Sequence, residues 1–98
     1  MKYPKEYLDE IKTRLKVSTV VSKSVNLKKR GKEFVGLSPF KTEKTPSFTV
    51  NDEKGFYHCF STAEHGNIFD FIMKTQNLKF GEAVKYLANL AGMQPYTF

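Results

Sequence analysis

The stretch that decides the fold is residues 47–67, SFTVNDEKGFYHCFSTAEHGN, which holds the only cysteine of this 98-residue chain. Two runs of β-forming residues, 47–50 and 56–60, lie on either side of the turn sequence NDEKG. Short β-forming runs separated by Asn, Asp and Gly predict a β-hairpin. Alternate residues of a strand point to opposite faces of a sheet, so one face of this hairpin should enter the core. The ring-bearing side chains predicted to do so are Phe48, Phe56, His58 and Phe60.

The preceding segment, VNLKKRGKEFVGL at residues 25–37, predicts another hairpin. A tight turn at Arg30-Gly31 would set Leu27 opposite Phe34 on one face of the sheet, with Phe34 in the core. Four basic residues of this segment then gather near the hairpin tip: Lys28, Lys29, Arg30 and Lys32. Such a cluster can neutralise several phosphates, although a run of lysines is also typical of a plain solvated turn.

Helical patterns flank the two hairpins. Apolar residues recur at helical spacing over residues 4–15, and Ser18 is a predicted cap for a short second helix. Asn67 is a predicted cap for a third helix, and a last helix over 80–91 should stop at Gly92. The order helix, helix, four or five antiparallel strands, helix, helix predicts an α+β fold.

Composition narrows the class of protein. A hydrophobic fraction of 40% in 98 residues fits one small domain. Sixteen Lys and Arg against ten Asp and Glu give a net charge of +6, which favours a polyanionic partner such as nucleic acid. No apolar run approaches the ~20 residues that span a bilayer, and the start lacks the apolar region of a secretory signal. We therefore expect a cytoplasmic protein that does not engage a membrane.

The segment from Val25 to Met73 resembles the N-terminal zinc-binding domain of bacterial replicative DNA primases of the DnaG type. The similarity extends from the leading helix to FGEAVKYLANLAG, residues 80–92, and the order of EKTPSFTV, FYHCF and HGN is its most specific part. The resemblance implies a zinc ribbon with flanking helices that engages single-stranded template and helps to select the initiation site. In the family, a separate domain polymerises the RNA primer.

The chain departs from the family at its zinc ligands. The family pattern places a Cys, a His and two further Cys at the ends of two knuckles, here Ser38–Lys41 and Cys59–Thr62, and only Cys59 is retained. Hydroxyls and a protonated ammonium are poor ligands for zinc. We therefore predict a domain with no cofactor, in which the Ser38 and Thr62 hydroxyls form hydrogen bonds across the knuckles and Lys41 places a positive charge where the metal stood.

A rearranged metal site is the alternative, and its candidate ligands are His58, Cys59, Glu64 and His65. Adjacent residues of a strand point to opposite faces, which makes joint coordination by His58 and Cys59 awkward. We favour Cys59 as a small buried hydrophobic residue. Catalysis by this segment alone is not expected, because its acidic residues are scattered and lack the paired carboxylates that hold divalent metals for nucleotidyl transfer.

The resemblance also implies a surface for the template. Family members hold single-stranded DNA with basic residues at the positions of Lys28, Lys32 and Lys44, and Pro46 matches another position of that patch. Tyr57 is the predicted base-stacking residue, because it should point away from the face shared by the other rings. The full set of predicted nucleic-acid-binding residues is Lys28, Lys29, Arg30, Lys32, Lys41, Lys44, Pro46 and Tyr57.

The domain organisation follows from the same resemblance. Residues 1–92 are the predicted template-binding domain, and residues 93–98 begin a linker to a polymerase domain that would need Mg²⁺. The parent protein would be a DNA primase, with the replicative helicase as a further partner. Two alternatives stay open: a module that docks on the polymerase domain without binding DNA, and a freestanding nucleic-acid-binding regulator.

Overall fold

A computed structural model describes residues 2–42 and 44–98 as a five-stranded antiparallel sheet with helices at both ends of the chain. The helices are α1 Lys5–Arg14, α2 Val17–Val21, α3 Ile68–Gln76 and α4 Phe80–Leu90. The strands are β1 Lys28–Arg30, β2 Glu33–Gly36, β3 Phe48–Asn51, β4 Phe56–Cys59 and β5 His65–Gly66, and they are neighbours in chain order. The predicted α+β fold is confirmed. Within the described residues, none of the helices has the length and apolar character needed to cross a bilayer.

The sheet buries one face against the helices. Phe48 pairs with Cys59 and Val50 with Tyr57, and all four side chains are fully buried. They join residues of every helix in a single core. Directly paired residues share a face, so these positions define the inner face. The alternate positions of each strand define the outer face.

The expectation for the faces of β4 was wrong. Phe56 and Phe60 are 40% and 69% exposed, whereas Tyr57 between them is fully buried. The β3–β4 turn decides this, because Asn51 pairs directly with Phe56 and thereby places Phe56 on the outer face. His58 lies on that face too and is partly exposed, so of the rings predicted for the core in this hairpin only Phe48 is confirmed.

The first hairpin turns one residue later than expected. Lys29 pairs with Phe34 and Arg30 with Glu33, so the turn residues are Gly31 and Lys32, and Leu27 does not lie opposite Phe34. Gly31 has a φ of +65°, which suits the first central position of a two-residue hairpin turn. Phe34 is partly buried and packs against the core, in partial agreement with its predicted place.

The predicted cap of the third helix is confirmed. Asn67 Oδ1 accepts hydrogen bonds from the backbone N–H groups of Phe69 and Asp70 at 2.9 and 3.1 Å. Asp70 Oδ2 in turn accepts from the Asn67 N–H at 2.9 Å. This reciprocal arrangement satisfies donors that the first turn of a helix otherwise leaves unpaired. The cap therefore sets the point at which the chain leaves β5 and enters α3.

Ser18 does not cap the second helix, contrary to the prediction. The cap position is Lys16, and Ser18 lies inside α2. The Ser18 N–H and hydroxyl instead donate to the Asp52 carboxylate at 2.8 and 2.6 Å. An acceptor from the β3–β4 turn thus satisfies the start of this helix, which a local pattern of residues does not reveal.

The last helix ends at Leu90, one residue before the predicted end, and Gly92 follows with a φ of +72°. The segment after it returns to α1, where the Tyr7 hydroxyl donates to the Gln94 carbonyl at 2.7 Å. The Tyr96 ring lies 5.2 Å from the Tyr7 ring. The first residues of the predicted linker therefore contact the domain.

Candidate nucleic-acid interface and substituted metal site

The outer face of the sheet carries a row of exposed rings. His58 and Phe60 stack with their ring centroids 4.4 Å apart, and the His65 ring lies 6.1 Å from that of His58. Together with Phe56 at the far end of β4, these residues form what we call the aromatic strip. A group of exposed rings on one face is a candidate binding surface, and exposed aromatic faces are the common platform for unpaired bases.

Basic residues lie on the same face of the sheet as the aromatic strip, beyond the two strands β2 and β3. Lys28 and Arg30 lie on the outer face, because they pair with the outer-face residues Val35 and Glu33. Both are exposed, as is Lys32 at the turn. The outer face therefore combines a positively charged hairpin with a strip of rings.

The predicted basic residues do not all share this surface. Lys29 lies on the other side of β1, where its Nζ is 5.7 Å from the centre of the Phe34 ring. Lys28, Lys44 and Pro46 come together at a cavity of about 530 Å³ beside the first knuckle. Lys41 is exposed and lines a separate depression of about 360 Å³.

Tyr57 cannot serve as the predicted stacking residue. Its ring is fully buried and lies 5.4 Å from that of Phe48 in a nearly parallel stack. Burial raises the pKa of Tyr57, and the nearby Lys74 ammonium offsets part of this effect. The residues that the sequence reasoning missed are Phe56 and Phe60, and the missing signal was the length of the turn between β3 and β4.

The two knuckles meet through the single cysteine. The Cys59 thiol donates to Ser38 Oγ at 3.1 Å, and Ser38 Oγ also accepts from the Phe40 N–H at 3.0 Å. Ser61 Oγ lies 3.3 Å from the sulfur. The predicted bond across the knuckles is thus present for Ser38. Thr62 differs from the prediction, because its hydroxyl accepts from the Glu64 N–H at 3.3 Å on its own side.

This environment changes the acidity of the thiol. Burial raises the pKa of Cys59, but hydrogen bonds that Ser38, Ser61 and Thr62 donate to the ionised sulfur outweigh it and lower the pKa to about 6. The Ser38 hydroxyl changes from acceptor to donor when the thiol ionises. Hydrogen bonds to the charged form of a group favour that form. Lys41 was predicted to place its charge where the metal stood, but its side chain is exposed. The contact between the knuckles is made instead by the buried Cys59 sulfur and the Ser38 hydroxyl.

These residues do not fit a structural zinc ion. Zinc in such domains takes four ligands from Cys and His, and the knuckles offer one thiol already bonded to a serine. Among residues 2–42 and 44–98, no three His, Cys, Asp or Glu side chains are grouped closely enough to hold a metal. The rearranged set is not assembled, because Glu64 pairs with Lys74 at 2.6 Å and His65 Nδ1 lies 3.3 Å from the Ala63 carbonyl.

A sheet with one bare face, two knuckles at its end and helices on the other face defines a zinc-ribbon-type domain. The family model described as the CHC2 zinc finger of the DnaG zinc ribbon matches residues 3–97. The chain therefore belongs to the zinc-ribbon family of DnaG-type primases.

Several curated relatives are named DNA primase. The chain is 43% identical over 94 residues to the DNA primase of Haemophilus influenzae, covering 95% of this chain and 16% of that protein. It is 46% identical over 91 residues to the DNA primase of Pseudomonas putida, covering 93% and 14%. The Escherichia coli DNA primase is 43% identical over 91 residues, with coverage of 93% and 16%. The chain thus spans a small part of the length of these relatives.

A solved structure has the same fold. The crystal structure of the Aquifex aeolicus primase, comprising zinc-binding and RNA polymerase domains, superimposes with a TM-score of 0.83 at 28% identity. The match covers 90% of this chain and 22% of that one. The five-stranded sheet and its flanking helices are therefore the fold of a primase zinc-binding domain.

Proposed function

We propose that this domain binds the single-stranded template of a bacterial DNA primase, and that it does so without zinc. The observation that carries the proposal is the outer face of the sheet, which presents exposed basic residues at the β1–β2 hairpin and exposed rings along β4 and β5. Proteins that bind single strands combine these two elements, since cations hold the phosphates and rings stack on the bases. Lys28, Arg30, Lys32 and Lys44 would contact phosphates.

The rings correct the stacking part of the prediction. Phe60 is more exposed than Phe56, and its stack with His58 orients the ring before a base binds. Preorganised rings lose little conformational entropy when they bind. Stacking tolerates every base, so the strip would support binding along many template sequences.

The zinc-free state is supported by the bonds that join the knuckles. The contact of Cys59 with Ser38 links the two turns that a metal would otherwise tie together. The ion pair between Glu64 and Lys74 fastens the segment after the second knuckle to α3. Elemental analysis of the purified protein should find no stoichiometric zinc, and chelator should leave its melting temperature unchanged. One tightly held equivalent of zinc would contradict this part of the proposal.

The wider setting is proposed from the relatives. The Aquifex structure is described as containing zinc-binding and RNA polymerase domains. We infer that residues 1–92 serve as the template-binding domain and that residues 93–98 begin the connection to such a polymerase domain. That domain would carry the Mg²⁺-dependent synthesis of RNA primers, and the parent protein would meet the replicative helicase.

The test of template binding is a fluorescence-anisotropy titration with labelled single-stranded DNA at several salt concentrations. Log affinity should fall with log salt at a slope of ~0.7 per phosphate neutralised. Lys44→Ala should weaken binding and reduce the slope by ~0.7, the share of one phosphate contact. Lys85→Ala, which removes an equal charge from the exposed side of α4, is the control and should change little. No binding at low salt would overturn the proposal in favour of a protein-docking module.

A further inference from the structure

The two histidines of the chain, His58 and His65, lie directly opposite each other on β4 and β5 at the outer face. The Cys59 N–H donates to the Glu64 carbonyl at 2.8 Å, so the adjacent pair of His58 with His65 is a non-hydrogen-bonded pair. Side chains of such pairs approach more closely than those of hydrogen-bonded pairs. The two imidazoles therefore project side by side from the outer face, where His65 is exposed and His58 is partly exposed.

The hydrogen bond of His65 prepares its second ring nitrogen as a ligand. His65 Nδ1 lies 3.3 Å from the Ala63 carbonyl oxygen. A carbonyl only accepts hydrogen bonds, so Nδ1 carries the proton and Nε2 keeps its lone pair. Histidines that bind metals almost always donate their other N–H in this way, because the bond fixes the tautomer and the orientation of the ring. The bond that holds Nδ1 at the second knuckle thus leaves Nε2 to serve as a ligand on the outer face.

We propose that His58 and His65, which we call the histidine pair, bind one late transition-metal ion such as Ni²⁺, Cu²⁺ or Zn²⁺ between their imidazoles. Imidazole suits these metals, whereas Mg²⁺ prefers oxygen ligands. The two ring centroids are 6.1 Å apart and the ring planes are inclined by 24°. With metal–nitrogen distances of ~2 Å, the centroids of two tetrahedral imidazole ligands lie roughly 5 Å apart. A side-chain movement of about 1 Å therefore closes the site, and water fills the remaining positions of the ion.

The histidine pair is not the substituted zinc site of the knuckles. Cys59 is buried on the inner face and bonded to Ser38, so it cannot join the two imidazoles. Lys12 and Lys54 line the same depression of about 490 Å³ as His65, and their charges oppose a bound cation. Two protein ligands beside these charges hold an ion loosely. The ion therefore exchanges with solvent, and a chelator removes it without unfolding the domain.

The test is isothermal titration calorimetry of the tag-free chain with NiCl₂ at neutral pH, after treatment with a chelator and its removal. One Ni²⁺ should bind per chain. His58→Gln and His65→Gln should each lower the Ni²⁺ affinity at least about tenfold, because either variant keeps only one imidazole. Mg²⁺ in place of Ni²⁺ should produce no heat of binding.

Two further measurements locate the ion. Cys59→Ser removes the thiol and should leave the Ni²⁺ affinity unchanged. Proton NMR of the unmodified chain follows the imidazole resonances of its two histidines directly and does not depend on the folding of a variant. Paramagnetic Ni²⁺ should broaden the resonances of both rings in parallel as it is added.

Unchanged Ni²⁺ affinity in either histidine variant would overturn the histidine pair, and so would the absence of binding heat. Broadening of only one imidazole would overturn it as well, because the ion would then be held by a single ring. One Ni²⁺ per two chains would show that the ion joins two copies and would overturn a site within one chain. DNA binding is titrated without metal, so none of these results decides whether the outer face binds template.

Discussion

The inner and outer faces of the sheet are built from the same short strands, yet they do different things. On the inner face, Phe48, Tyr57 and Cys59 are fully buried against the helices. On the outer face, Phe56 and Phe60 are 40% and 69% exposed. Both faces carry aromatic residues, so hydrophobic character alone does not identify the core. Aromatic rings stabilise the fold on one side and remain available for a ligand on the other.

The largest expected effect separates the two faces by stability. Phe48→Ala should lower the free energy of unfolding by ~3–5 kcal/mol, because it leaves a cavity among rings whose centroids lie 5.4 to 6.4 Å apart. Phe60→Ala should cost less than about 1 kcal/mol, as expected for an exposed side chain. Urea denaturation measures both values. Equal losses would show that the two faces are not distinct.

A second prediction concerns the pH dependence of the stability that Cys59 contributes on the inner face. The pKa of Cys59 is about 6 in the folded chain and ~8.5 in an unfolded one. The folded state therefore favours the thiolate over the thiol. The stability that the thiolate contributes to the fold is fully present above pH ~8.5 and is lost as the pH falls through 6. At ~1.4 kcal/mol for each pH unit between the two pKa values, the effect is up to about 3.5 kcal/mol.

The measurement is the free energy of unfolding between pH 5.5 and 9, compared between the native chain and Cys59→Ser. The native chain should gain stability relative to the variant as the pH rises through this range. Parallel curves would show that the buried thiol stays neutral.

The outer face should respond in binding and not in stability. Phe60→Ala should weaken single-stranded DNA binding by ~1–3 kcal/mol while the salt slope is preserved. Phe98→Ala is the matched control, because this ring is 54% exposed but packs with Tyr3 and Tyr96 away from the sheet. If both variants lose the same affinity, the aromatic strip has no special part in binding.

The smallest expected effect compares two neighbours in the sequence. Lys28 lies on the outer face and Lys29 lies on the other side of β1 beside Phe34. Lys28→Ala should lower the salt slope of DNA binding by ~0.7, and Lys29→Ala should lower it by clearly less. Anisotropy titrations with the two variants measure the difference. Identical slopes would mean that net charge and not a shaped surface attracts the strand.

Much of the fold followed from local patterns in the sequence. The two hairpins, the Asn67 cap and the helix end before Gly92 are each specified by residues within a few positions of one another. The Asn67 cap depends on short-range hydrogen bonds and could be predicted locally, whereas the cap predicted at Ser18 was wrong because Ser18 bonds the distant Asp52. The retention of Cys59 alone among the family's ligand positions was also visible in the sequence.

Tertiary structure decided which face each strand buries and which residues meet. The alternation of side chains along a strand is a local property. Which alternate set faces the core depends on the turn that joins the strand to its partner and on the side where the helices pack. This is why Tyr57 is buried and Phe60 is exposed. The meeting of Ser38 with Cys59, and of Lys28 with Lys44 at the cavity beside the first knuckle, joins residues far apart in the chain. The sequence by itself determined the chemical groups of this domain, and long-range packing decided where they lie.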